Sequence, residues 1–207
     1  MVTALVLTLP IAVTVWAAPP PTDQLRRSID QVLSVLEDPE MNSALRAGER
    51  RAALRKIAGD IFDFAEITKR ALGPHWQART PAERGEIVRL FSNLLERSYV
   101  AKIELYNGER IAFTGESVDG ELAIVRTRIV TRQGSEIPVE YRMLRRGDRW
   151  LTYDLTIEGV SLVSNYRGQF NKILQSGSYS DLVKRLREAV EDRSEEGSPK
   201  LRRASQR

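Results

Sequence analysis

The hydrophobic period of this chain changes twice, and that change limits the folds open to it. From Thr22 to Tyr106 apolar residues recur every three or four positions, as on the buried face of helices. From Glu109 to Ile157 they alternate, and after Gly159 the helical period returns. Helices, then a sheet, then helices describe an α+β fold rather than alternating β–α–β units.

The punctuation supports that reading. Thr22 is placed to cap a helix carrying Leu25, Ile29, Val32, Leu33 and Leu36, ending near Asp38-Pro39. A second, arginine-rich helix is expected over Ser43 to Ala58. A third is expected to open at Asp60, carry Ile61, Phe62, Phe64, Ile67 and Leu72, and stop at Gly73-Pro74. Thr80-Pro81-Ala82-Glu83 combines a threonine cap, proline at the first helical position and glutamate three residues after the cap. The helix it starts is long, with Ile87, Leu90, Phe91, Leu94, Leu95 and Tyr99 running toward Tyr106, where Asn107-Gly108 ends it.

The strands are joined by short turns. Ile111-Ala112-Phe113 leads to Asp119-Gly120, Glu121 to Arg132 turns at Gln133-Gly134, and Glu136 to Arg146 turns at Gly147-Asp148 into Trp150 to Ile157. Such turns predict a curved antiparallel four-stranded meander. Leu151, Tyr153, Leu155 and Ile157 are expected on one face of the last strand, matched by Val125, Ile129, Val139, Tyr141 and Met143 on its neighbours. Helices follow over Ser161 to Leu174 and from Ser178 through Leu182, Val183, Leu186 and Val190.

Residues 1–18 carry no charge after the start, and Val15-Trp16-Ala17-Ala18 precedes three prolines, as at the cleavage site of a secretory signal peptide. A basic leader is missing from it. The run is also interrupted by Thr3, Thr8, Pro10 and Thr14, which suits export better than a membrane anchor of roughly 20 apolar residues. One domain is expected over residues 19–190, with helices over 22–106, the sheet over 109–157 and helices over 161–190. Residues 191–207 are charged, contain glycine and proline and lack a periodic face, and read as a flexible tail.

Composition removes much of chemistry. The 207 residues include no cysteine and one histidine, His75, which excludes thiolate metal sites and cysteine nucleophiles and leaves little for histidine-based ones. No phosphate loop or dinucleotide fingerprint occurs. Asp154 and Glu158 can be drawn as an acid–base pair, but a hydrogen bond accepted by Asp154 from nearby backbone or arginine is the simpler expectation. Ser161 or Ser164 with His75 and Asp154 lacks the Gly-x-Ser-x-Gly elbow of a hydrolase. Neither metal nor cofactor is expected. The 32 basic and 28 acidic residues are interspersed, so no basic stripe suggests nucleic acid. A sheet bent around helices encloses either a filled core or an apolar cavity, and periodicity leaves both open.

The segment from Trp150 to Phe170 resembles the MlaC-type periplasmic phospholipid carriers, also called toluene-tolerance auxiliary proteins. The likeness rests on Trp150, Tyr153-Asp154, Glu158-Gly159-Val160-Ser161, Asn165-Tyr166-Arg167 and Gln169-Phe170. Ala71 to Trp76, Thr80, Phe91, Leu95, Tyr99, Tyr106-Asn107-Gly108 and Gly177-Ser178-Tyr179 agree with it, and the polar Thr152 is a small departure. The resemblance implies a lipid carrier with no enzymatic activity, its cavity lying between curved sheet and helices, similar to the nuclear transport factor 2-like architecture. It implies lipid passed between an outer-membrane lipoprotein complex and the substrate-binding ring of an inner-membrane ABC transporter. A branch of the family associated with hopanoids leaves the lipid class open, and an adaptor with a filled core is the alternative. On that resemblance Val160, Leu162, Val163 and Tyr166 are expected to border the cavity. The apolar pattern adds Phe64, Phe91, Leu94, Tyr99, Val125, Ile129, Tyr141 and Met143. Asn165, Arg167 and Gln169 are expected to fix local structure.

Overall fold

The computed structural model describes residues 19–196, so both the expected signal segment and the end of the expected tail lie outside the described residues. In chain order the elements are α1 (Pro21–Glu37), α2 (Ala47–Ile61), α3 (Phe64–Leu72), α4 (Pro81–Ile103), β1 (Arg110–Asp119), β2 (Leu122–Val130), β3 (Glu136–Arg146), β4 (Arg149–Ile157), β5 (Val160–Ser161), α5 (Leu162–Ser176) and α6 (Tyr179–Glu196). Helices, sheet and helices thus follow one another as the periods predict.

Local chemistry explains most boundaries. The Thr80 hydroxyl accepts from the Glu83 amide at 3.2 Å while the Glu83 carboxylate accepts from the Thr80 amide at 2.7 Å, a complete capping box. At α1 the expected threonine cap is absent. The helix begins at Pro21, ahead of Thr22, and the proline ring presets the helical φ while its missing N–H is no loss there. The arginine-rich helix is preceded by a 3₁₀ turn over Ala44–Arg46 and continues to Ile61. The helix expected from Asp60 is interrupted: Phe62 is extended, and Asp63 caps α3 by accepting from the Glu66 amide at 2.9 Å. The break has a distant cause. Phe62 forms a bridge to Thr152 of β4, and the Asp63 amide donates to the Thr152 carbonyl at 3.0 Å. The last helix is described through Glu196, so its final residues overlap the start of the segment expected as a tail.

The sheet is an antiparallel meander in the order β1-β2-β3-β4-β5. It has five strands rather than four, the fifth being a two-residue return paired with the end of β4. Two irregularities bend it: Thr114 interrupts the pairing of β1 with β2, and Tyr153 that of β3 with β4. The second alters the faces of β4. Leu155 lies opposite Tyr141, but across the bulge Thr152 lies opposite Met143, and Trp150 packs in the core beside Met143. Leu151 and Tyr153 therefore do not share the face of Leu155 and Ile157, contrary to simple alternation.

The apolar residues form separate clusters. Ile67, Leu72, Ile87, Phe91, Leu94, Leu95, Val163, Phe170, Leu182 and Leu186 join α3, α4, α5 and α6 in one. Leu25, Ile29, Ile61, Val125, Met143 and Trp150 join α1 and α2 to the sheet in another. Phe62 packs against both, so the break between α2 and α3 also sits where the two clusters meet. A small cluster of Leu36, Leu54 and Val100 ties α1, α2 and α4 together.

Candidate functional site

Antiparallel register decides which side chains share the inner face of the sheet. Ile111 pairs with Ile129 and Ile129 with Ile137. Phe113 pairs with Thr127, Thr127 with Val139, and Val139 with Ile157. Val125 pairs with Tyr141, and Tyr141 with Leu155. Paired residues point to one side, so these form a continuous, almost wholly apolar surface across four strands.

Burial along that surface is graded. Ala123, Val125, Thr127, Val139 and Met143 are 3% exposed or less. Ile111, Phe113, Ile129, Ile137, Tyr141, Leu155 and Ile157 stay partly exposed although they face the helices. The face is thus closed at the Ala123, Met143 and Trp150 side and reachable by solvent toward the start of β1 and the end of β4. An apolar, solvent-reachable surface of this kind suits an aliphatic chain.

Tyr141 and Thr127 are the polar residues at its centre. Burial pushes the Tyr141 phenol up to about 12, partly opposed by the Thr127 hydroxyl beside it. Thr127 in turn donates to the Val139 carbonyl at 3.4 Å.

The expected site residues are spread over these surroundings. Phe91, Leu94 and Val163 are deeply buried in the helical cluster, and Phe64, Tyr99, Leu162 and Tyr166 pack against it. Phe91 meets Tyr166 and Phe170 edge-on, with centroids 4.7 and 5.0 Å apart. Val125 and Met143 belong to the sheet cluster, with Tyr141 against it. Ile129 lies on the partly exposed stretch, and Val160 is 63% exposed in the β4–β5 return. The partly exposed stretch also includes Ile111, Phe113, Ile137, Leu155 and Ile157, none of them among the expected site residues, although alternation places Leu155 and Ile157 on the face of Tyr141. The signal that finds them is the pairing register, which short turns make inferable.

The residues drawn as acid–base groups are occupied otherwise. Asp154 is 6% exposed and accepts from the Ser161 hydroxyl at 2.7 Å and the Val163 amide at 3.0 Å. It pairs with Arg142, on the side opposite Tyr141. Its role here is to seat the first turn of α5, whose cap is the same Ser161 hydroxyl, 3.0 Å from the Ser164 amide. Glu158 is exposed in the following turn. His75 lies 3.1 Å from Asn171, in a helical region away from both carboxylates. Arg167 donates to the Arg70 carbonyl at 2.8 Å and Gln169 to Asn165 at 3.2 Å, both within the protein scaffold. No helix among the described residues is long and apolar enough to cross a membrane.

Comparison with known proteins gives concordant results. A family model described as the MlaC protein matches residues 26–188. The chain is 24% identical over 136 residues to the toluene tolerance protein ttg2D of Pseudomonas putida, covering 65% of this chain and 63% of that one. It is 19% identical over 142 residues to the intermembrane phospholipid transport system binding protein MlaC of Haemophilus influenzae, covering 65% and 66%. The chain therefore spans just under two thirds of the length of these relatives. Its fold is similar to that of a phospholipid-binding protein from Ralstonia solanacearum solved with a phospholipid, at TM-score 0.73 and 23% identity over 85% of this chain and 99% of that one.

Proposed function

This chain belongs to the MlaC family, and from that premise we propose that it is a non-enzymatic carrier of phospholipid in the periplasm. Acyl chains lie against the partly exposed inner face of the sheet, formed by Ile111, Phe113, Ile129, Ile137, Tyr141, Leu155 and Ile157, under α1 and α2. Residues 1–18 direct export. Lipid is received from and delivered to membrane complexes, an outer-membrane lipoprotein assembly and the ring of an inner-membrane ABC transporter.

The observation that carries this reading is the graded face itself. Apolar side chains that remain reachable while directed at helices are costly in water, and an aliphatic ligand removes that cost. Each methylene buried is worth roughly 0.8 kcal/mol, so a bound diacyl lipid leaves slowly unless a partner opens the site. The names of the relatives agree, the one from Haemophilus influenzae being an intermembrane phospholipid transport binding protein.

The test is native mass spectrometry of the protein purified without detergent, followed by organic extraction. Near-stoichiometric diacyl phospholipid supports the reading. A hopanoid-like lipid assigns a different cargo. A lipid-free mass, with no uptake from phosphatidylglycerol vesicles, contradicts it and favours an adaptor with a filled core.

A further inference from the structure

The inner face of the sheet carries one feature that acyl chains do not need. At its centre Tyr141 is flanked across the strands by Val125 and Leu155, and Val139 and Met143 are its same-face neighbours along β3. A phenol in such surroundings is expensive unless its hydroxyl finds partners. The fold supplies one beside it, the Thr127 hydroxyl. Thr127 itself donates to the Val139 carbonyl at 3.4 Å, beyond the 2.5–3.0 Å of a good hydroxyl–oxygen hydrogen bond. The Thr127 hydroxyl thus has a long contact to a backbone acceptor on the same face as the Tyr141 phenol.

A diacyl glycerolipid brings the complementary need. The ester carbonyls sit where the chains begin, and drawing one into an apolar site is unfavourable without a donor. Resting on the carrier reading, we infer that Tyr141 is the polar anchor of the inner face, donating a hydrogen bond to a glycerol-ester carbonyl of the bound lipid. The site thereby favours ester-linked lipids over ether-linked ones and over polycyclic hydrocarbons that carry no acceptor at that depth. Burial keeps the phenol protonated, its pKa near 12, so the donor is available at any physiological pH.

The experiment compares release of dioleoyl phosphatidylglycerol with that of its dialkyl ether analogue, which lacks both carbonyls. Each is loaded on the full chain and its transfer to acceptor vesicles is followed. The wild-type protein is expected to hold the diester roughly tenfold longer than the diether, the range of one neutral hydrogen bond. Tyr141→Phe keeps the ring and its packing and is expected to release both at the same rate. Thr127→Val leaves the donor in place and is expected to preserve the preference. The ester carbonyl stretch of the bound lipid is expected to shift to lower frequency in the wild-type protein and not in Tyr141→Phe. Equal retention of the two lipids by the wild type, or a preference that survives in Tyr141→Phe, overturns the inference while leaving the carrier reading intact. Failure to load either lipid overturns both.

Discussion

The Asp154 carboxylate accepts from the backbone amide of Val163 at 3.0 Å, joining the back of β4 to the first turn of α5. With Ser161 on its other oxygen, Asp154 works as a structural clamp between sheet and helical cluster. Removing one partner of a buried charge-assisted hydrogen bond is expensive. Asp154→Ala is expected to cost about 2–4 kcal/mol and Asp154→Asn about half that. Urea unfolding followed by circular dichroism gives both values. The lipid content of Asp154→Asn should equal that of the wild type, since the carboxylate faces away from Tyr141.

The deeply buried aromatic residue of α4 provides a second case. Phe91 is 0% exposed and sits between Tyr166 and Phe170. Phe91→Ala is expected to lower stability by about 3–5 kcal/mol through lost contacts and a cavity. Thermal unfolding measures the loss. The variant should discriminate among lipid headgroups as the wild type does, because the cluster it perturbs is helical core.

The turn between β4 and β5 holds Glu158 at φ 50° and Gly159 at φ 81°. Left-handed backbone costs a side chain such as glutamate roughly 1 kcal/mol, and asparagine tolerates it better. Glu158→Asn is therefore expected to raise the unfolding temperature by about 2–4 °C. Gly159→Ala, in the same turn, is expected to lower it by a similar amount. Differential scanning calorimetry reads both changes.

Much of this architecture is legible in the sequence, where the information is local. The Thr80 capping box, the Glu136–Arg146 strand and the three glycine-containing turns of the meander are fixed by neighbouring residues. The departures arise where distant contacts override local pattern. Phe62 leaves the helix because Thr152, far along the chain, pairs with it. Leu151 and Tyr153 lose the face of Leu155 because a bulge breaks the alternation. The same limit applies to the site. Periodicity identifies Phe91 and Leu94 as apolar and inward, as it does Ile129 and Tyr141. Burial sets them apart in the structure: Phe91 and Leu94 are 0% and 6% exposed in the helical cluster, whereas Ile129 and Tyr141 stay partly exposed on the sheet face.

Alkaline pH offers an independent probe of that face. The Tyr141 phenol titrates near 12 in the folded protein and near 10 in the unfolded chain. The folded state holds the proton more tightly, so this contribution is complete below pH 10 and is lost as pH rises from 10 to 12. The loss is on the order of 2 kcal/mol. Urea midpoints at pH 9 and pH 11.5 should differ less in Tyr141→Phe than in the wild type, because the variant lacks this titration.

The most direct test of lipid binding at the inner face uses the two sides of the sheet as mutual controls. Leu155 lies opposite Tyr141 on the inner face, whereas Ile124 lies opposite Arg142 on the outer one. A photoreactive benzoylphenylalanine is placed at either position, the protein is loaded from phosphatidylglycerol vesicles, separated from them and irradiated. A lipid adduct is expected by mass spectrometry at Leu155 and none at Ile124. An adduct at Ile124 with none at Leu155, or equal labelling at both, contradicts the assignment of the inner face as the lipid site.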